Sequence, residues 1–180
     1  MATLRRAHCY RWKDRANTRT SNNPAASYIT GVPGIKITHF DMGDPNGEYA
    51  IETKLISTQQ IQIRHNALEA ARQSSNRYLE KELGKKEYHF KILTYPHHIM
   101  RENKMATGAG ADRVQEGMRK SFGKPVGKAA RVKEGQTIMR VRSKEDTEEV
   151  VKEALRLASM KLPCKTKTEV KRLKEKTEEE

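Results

Sequence analysis

Apolar and polar positions first fall into a regular order at residues 49–57. There Tyr49, Ile51, Thr53 and Leu55 alternate with Ala50, Glu52 and Lys54, the period of a half-buried strand. Upstream, Ile35, Ile37, Phe40 and Met42 predict a strand that loses register near His39, and GDPNG at 43–47 predicts a turn, so the two strands are expected to pair antiparallel. The period then lengthens: Ile61, Leu68, Ala71, Ser75, Leu79 and Leu83 recur on one helical face, with Arg64, Glu69, Arg72, Arg77, Glu80 and Lys81 mostly off it. Ser57 or Thr58 can cap this helix and Gly84 can close it in a left-handed conformation. YHFKILTY at 88–95 returns to strand alternation. Residues 126–132 and 136–142 read as two further strands joined at Lys133, Glu134 and Gly135. Ser143 with Asp146 can cap a second helix, whose stripe is Val150, Val151, Ala154, Leu155, Ala158 and Leu162 before Pro163 stops it. CKTKTEV at 164–170 suits a closing edge strand protected by its lysines.

The order is β-β-α-β, an irregular excursion, then β-β-α-β. Two amphipathic helices must each bury a face, and a sheet is the available partner. The expected fold is α+β: a two-layer sandwich of a mostly antiparallel sheet with two long helices on one face, plus a basic N-terminal arm and a long basic loop. The divisions are a basic arm at 1–24, one α+β domain at 25–170 containing an extended loop at 96–113, and a charged tail at 171–180.

Charge sharpens this picture. The 180 residues carry a net +13 with a pI near 9.8. The excess is not spread evenly. Residues 1–40 hold seven Lys/Arg and one acid, residues 97–144 hold 12 and four, while 41–96 hold eight of each. Two basic blocks on one small domain point to a polyanion. No run of 18 apolar residues is present, so no membrane span is expected. The first twelve residues lack the apolar core of a secretory signal. Cys9 and Cys164 have no spacing partner and suit a reducing cytoplasm.

In the arm, Arg5, Arg6, Arg11, Lys13, Arg15 and Arg19 are interleaved with His8, Tyr10 and Trp12, a mixture suited to phosphate pairing and base stacking. With so little apolar area, residues 5–19 are expected to become ordered only on RNA. In the long loop, glycines at 108, 110, 117, 123 and 127 accompany the donors Arg101, Asn103, Lys104, Arg113, Arg119, Lys120, Lys124, Lys128 and Arg131. A short helix at 112–122 would bury Val114, Met118 and Phe122. His97 and His98 point to opposite sides of an extended chain, and no CxxC or HExxH occurs, so neither metal nor cofactor is expected. Gly108-Ala109-Gly110 lacks the third glycine of a dinucleotide fingerprint, because Arg113 occupies its place. Glu102, between Arg101 and Lys104, suits a loop-pinning salt bridge better than a general base.

ENKMATGAGADR followed by MRKSFGKPVGKAAR resembles the signature of large-subunit ribosomal proteins of the archaeal and eukaryotic L-ten-e type, related to bacterial L-sixteen. GVPGIKITHFDMG at 31–43, ALEAAR at 67–72 and KLPCKTK at 161–167 fit the same family in the same order. The resemblance implies an α/β-hammerhead-like fold, no catalysis, a cytoplasmic place in the large subunit and a role in late subunit maturation. The implied partners are large-subunit rRNA, tRNA acceptor ends and neighbouring ribosomal proteins, with no membrane and no homo-oligomer. It also implies that Glu102, Asn103, Lys104, Met105, Ala106, Thr107, Gly108, Ala109, Gly110, Ala111 and Asp112 form a loop directed at the peptidyl-transferase centre. The alternative from another class is an RNA-modifying or tRNA-acting enzyme using His97, His98 and Glu102. Nothing is carried over to the tail beyond Lys167, where the pattern departs.

Overall fold

The chain folds into two antiparallel sheets where one was expected. The computed structural model describes residues 5–11, 20–29, 31–106, 108–114 and 122–173. Its elements are β1 (Asp41–Gly43), β2 (Ile51–Ser57), β3 (Ile61–Arg64), α1 (His65–Glu82), β4 (Tyr88–Ile92), β5 (His98–Glu102), α2 (Ala111–Val114), β6 (Lys124–Val132), β7 (Thr137–Ser143), α3 (Glu148–Ser159) and β8 (Thr166–Arg172). The five-stranded sheet has the order β1-β4-β7-β2-β8, and the three-stranded sheet the order β3-β6-β5.

The α+β layering holds. Leu68, Ala71 and Leu79 of α1 and Val151, Ala154, Leu155 and Ala158 of α3 share one core with Leu55, Tyr88, Phe90, Met139 and Val141 of the larger sheet. The Ser75 hydroxyl lies 2.9 Å from Ala71 O and 3.1 Å from Ala154 O, so a small polar residue satisfies itself where the two helices meet. Gly84 takes φ +83° after α1, as its place in the sequence predicts. The start of α1 differs. Ile61 is a strand residue, and β3 occupies the first turn of the expected helix, with Ile61, Gln62 and Ile63 all buried. Ile61 fits both periods, which hid the boundary. The second cap differs too: a 3-10 turn at Glu145–Thr147 precedes α3, and the Thr147 hydroxyl donates to Lys144 O at 2.8 Å.

The first two strands do not pair with each other. β1 pairs with β4, while β2 lies between β7 and β8. Gly43 has φ +83°, and a Cβ there would meet Tyr88 O at 2.0 Å, so the chain turns away against β4. Likewise β6 and β7 belong to different sheets. The chain passes between the sheets four times, after β2, β3, β4 and β6, and the first and last crossings are tied together: Gly135 N donates to Ser57 O at 2.9 Å and Ser57 N to Gln136 O at 3.0 Å. β8 is an edge strand as expected but continues to Arg172, past the anticipated start of the tail. Residues 174–180 lie outside the described residues.

Candidate nucleic-acid interface

Strands β5 and β6 build a stem for the basic loop. They pair antiparallel, with His98 opposite Ala129 and Glu102 opposite Lys124, so the chain leaves at Glu102 and returns beside it. The expected irregular stretch from 96 is therefore strand at 98–102. Alternation was obscured because Ile99 and Met100 are both buried, and the register shifts between Met100 and Arg101. Gly123 is buried at the neck. A Cβ there would lie 2.7 Å from the Glu102 carbonyl carbon and 2.9 Å from Asn103 N, so the close backbone approach requires glycine. The Arg101 guanidinium lies 4.0 Å from the Phe122 ring centroid, a cation–π contact beside the neck.

Beyond the neck, Lys104, Met105, Ala106, Gly108, Ala109, Gly110, Asp112 and Arg113 are exposed, and Asn103 and Ala111 are partly exposed. Gly108 and Gly110 take φ +144° and +79° and turn the chain into α2. The two described residues of the expected buried stripe are exposed. Val114 is 82% exposed and Phe122 48%. Met118 of that stripe, together with Thr107, Arg119 and Lys120, lies outside the described residues.

Of the arm, residues 5–11 are described and lie against β3. Ala7–Tyr10 form a 3-10 turn against β3. Arg64 donates from Nη1 to Arg5 O at 2.8 Å, and Gln62 donates from Nε2 to Tyr10 O at 3.2 Å. The Arg64 guanidinium also sits 5.6 Å from the Tyr10 ring centroid. From the seated turn, two side chains reach the loop neck: Arg5 Nε donates to Glu102 Oε1 at 2.8 Å, and the Tyr10 hydroxyl donates to Glu102 Oε2 at 3.0 Å. Burial, then the bond to Glu102 and its charge, push the Tyr10 phenol above its ordinary pKa, so it remains a donor at neutral pH. Trp12, Lys13, Arg15 and Arg19 lie outside the described residues.

Of the other sequence candidates, Arg6, Arg11, Lys124 and Arg131 are exposed, and Lys128 is half-buried. Arg131 Nη2 lies 3.3 Å from His98 Nε2. Burial, then Arg131 and Arg101, push His98 below its ordinary pKa, which leaves a neutral ring able to accept from that arginine. His97 is exposed and packs on Tyr95 at 4.5 Å between ring centroids. The two histidines thus go to different surroundings, and Glu102 already holds Arg5 and Tyr10. The acid–base set that catalysis by His97, His98 and Glu102 needs is not assembled. Among the described residues, no group of three or more His, Cys, Asp or Glu could hold a metal ion, and no helix is long and apolar enough to cross a membrane.

The described residues offer cationic donors beside a glycine-shaped tip. Gln62 and Arg64, which seat the arm, are not among the candidates the sequence offers. The alternation of Ile61, Gln62 and Ile63 was the signal, and it was absorbed into the helix pattern.

Comparison with known proteins matches residues 13–169 to the family described as ribosomal protein L16p/L10e. The chain is 55% identical over 139 residues to the large ribosomal subunit protein uL16 of Methanospirillum hungatei, covering 77% of this chain and 82% of the relative. It is 50% identical over 173 residues to the uL16 of Sulfolobus acidocaldarius, covering 94% and 95%. With the uL16 of Archaeoglobus fulgidus it shares 47% over 166 residues, 92% of each chain.

Proposed function

The chain belongs to the ribosomal protein L16p/L10e family, and from that premise we propose that it binds large-subunit rRNA through its arm and loop stem and carries the 102–112 loop towards tRNA acceptor ends near the peptidyl-transferase centre. Membership itself makes it a structural, non-enzymatic component of the large ribosomal subunit, in the cytoplasm beside rRNA and other ribosomal proteins. The finer assignment is supported above all by the junction at Glu102, where Arg5 and Tyr10 of the arm grip the neck of the loop. A basic arm joined to a basic stem lets rRNA held by one fix the aim of the other. Arginine forks and lysine heads suit phosphate oxygens, and Arg5, Arg6, Arg11, Lys124, Lys128 and Arg131 are the described residues assigned to that contact. In this scheme residues 1–24 act as the RNA arm, 25–170 as the body and 171–180 as an appendage without an assigned role.

The test separates the two contacts. Deleting residues 103–112 and bridging with a short Gly-Ser linker should cost about a kilocalorie or less, because closure entropy varies slowly with loop length and the neck is already paired. Sucrose-gradient sedimentation should show the variant in large subunits, with peptide synthesis strongly reduced. Near-normal synthesis would refute the role of the loop tip. For rRNA, changing Lys124 and Arg131 to Gln should each lower the slope of log affinity against log salt by about one, and an unchanged slope would remove both from the interface.

A further inference from the structure

The five-stranded sheet has a second face, opposite α1 and α3. α1 and α3 cover one side through Tyr88, Phe90, Met139, Val141 and Leu55. Directly opposed residues on neighbouring strands share a face, and the register places two rows on the uncovered side. One row runs Gly43, His89, Arg142, Glu52 and Lys171; the other runs Asp41, Lys91, Arg140, Lys54 and Glu169.

The second row sets Lys91, Arg140 and Lys54 side by side across β4, β7 and β2. Like charges directly opposite each other destabilise a sheet, so sheet stability alone does not favour this order. Nor do the carboxylates neutralise the face. Glu52 is shared by Arg140 Nη1 at 3.1 Å, Arg142 Nε at 3.4 Å and Lys54 Nζ at 3.5 Å. One charge balances one of the three. Asp41 lies 3.1 Å from Lys91 Nζ and 3.3 Å from His89 Nε2. The two rows hold five Lys/Arg against three acids, and the Lys54 and Lys91 side chains are 34% and 38% exposed. Neither row offers an apolar side chain for the core of a protein interface. Its one ring, His89, is buried, which leaves nothing for base stacking. Adjacent strands lie about 4.8 Å apart, so the cations on β4, β7, β2 and β8 recur across a span of roughly 14 Å.

We propose that this open sheet face is a further rRNA-docking surface, taking the phosphate backbone of a folded RNA segment on Lys54, Lys91, Arg140, Arg142 and Lys171. It rests on the rRNA reading above, and adds a surface on the sheet side of the fold. Phosphates supply the charge that Glu52 and Asp41 leave uncompensated, and recognition is by shape and charge, not base sequence.

The experiment measures binding of the full-length chain to protein-free large-subunit rRNA across a salt series. The triple change Lys54→Gln, Lys91→Gln and Lys171→Gln should lower the salt slope by about two to three. Glu169→Lys, at a half-exposed acid, should steepen it by about one. These changes act on exposed or half-exposed heads, and thermal melting confirms folding. The Glu169→Lys arm gains binding, which a misfolded variant cannot imitate. The comparison is Lys124→Gln with Arg131→Gln. If that pair lowers the slope while the sheet triple and Glu169→Lys leave it unchanged, the sheet-face assignment is overturned and the rRNA reading stands. If none of the variants moves the slope, both fail. Impaired entry of the sheet triple into large subunits, with an unchanged slope on naked RNA, would assign the face to an acidic protein and overturn the RNA proposal.

Discussion

Tyr10→Phe and Arg5→Gln test whether the arm and the loop neck are one unit. Glu102 is buried to 11% side-chain exposure, whereas Arg5 is 51% exposed. The ion pair therefore lies largely in solvent and contributes about 0.2–1 kcal/mol. The Tyr10 hydroxyl donates to the less accessible carboxylate, and a hydrogen bond to a charged group is worth about 1.5–3 kcal/mol. Water can reach part of the site once the phenol is gone, so Tyr10→Phe should cost about 1–2 kcal/mol, a factor of roughly 5–30 in the closed-to-open ratio.

Hydrogen exchange reads that ratio directly. The amides of Cys9 and Arg11, bonded to Arg6 O and His8 O, should exchange faster by this factor, and those of Ala111 and Arg113 in the loop should also accelerate. Amides of β4 and β7 should shift only as far as global stability does. Arg5→Gln alone should act weakly. The double variant should be non-additive, because both side chains act on one carboxylate. Exchange at Cys9 and Arg11 within twofold of the parent in Tyr10→Phe would refute the clamp. Faster arm exchange with unchanged loop amides would refute the coupling.

Further outcomes follow from other contacts. Burial, then Lys36, Arg64 and Lys128, depress the His65 pKa, and its Nδ1 accepts the Lys36 N–H at 3.0 Å. The unfolded chain therefore takes up this proton first; the stabilisation is complete above about pH 6.5 and is lost as pH falls through the lower folded value. Thermal melting from about pH 7 to 5 should show a shallower decline in His65→Gln; an identical slope would refute this. The bidentate Arg72–Glu69 pair, at 2.8 and 2.7 Å, holds the Glu69 carboxyl below its ordinary range, so Arg72→Met should strand a nearly buried carboxylate at a cost of about 2–4 kcal/mol in thermal melting. Gly123→Ala should cost about 1–3 kcal/mol by forcing the neck apart. Gly110→Ala, where a Cβ has open space but φ is +79°, should cost about 1–2 kcal/mol of local strain and spare rRNA binding while slowing peptide synthesis.

The two helices were legible because the 3.6-residue period and burial coincide: Leu68, Ala71, Ser75 and Leu79 in α1, and Val151, Ala154, Leu155 and Ala158 in α3, are all buried. β3 was not, because Ile61 also fits the helical period that follows, and β5 was not, because the adjacent buried pair Ile99 and Met100 erases the alternation that marks a strand. The division into two sheets was equally out of reach, since it depends on which distant strand each edge finds. Glu102 was legible as a pin, but its partners were not. Arg5 and Tyr10 lie 97 and 92 residues away in sequence. Linear charge misled in the opposite sense. Residues 41–96 cancel along the chain, yet strand alternation sorts Lys54 and Lys91 onto one face with Arg140 and Arg142.

The glycines of the loop divide its labour. At the stem, Gly123 has no room for a Cβ, which would meet backbone within 3 Å, and Gly127 is tight, with His65 Nε2 at 3.1 Å and Met100 Cε at 3.2 Å from a Cβ. At the tip, Gly108 and Gly110 have nothing within 4 Å and are set apart by backbone conformation alone. A stem that glycine makes tight can hold direction, because few small motions are open to touching backbones. A tip that glycine makes conformationally special but sterically empty contributes nothing to the core, so its shape is kept for whatever approaches from outside. The clamp at Glu102 lies between the two and hands the position of the arm to the stem. In the proposed scheme, RNA that fixed the arm would therefore fix the base of the tip.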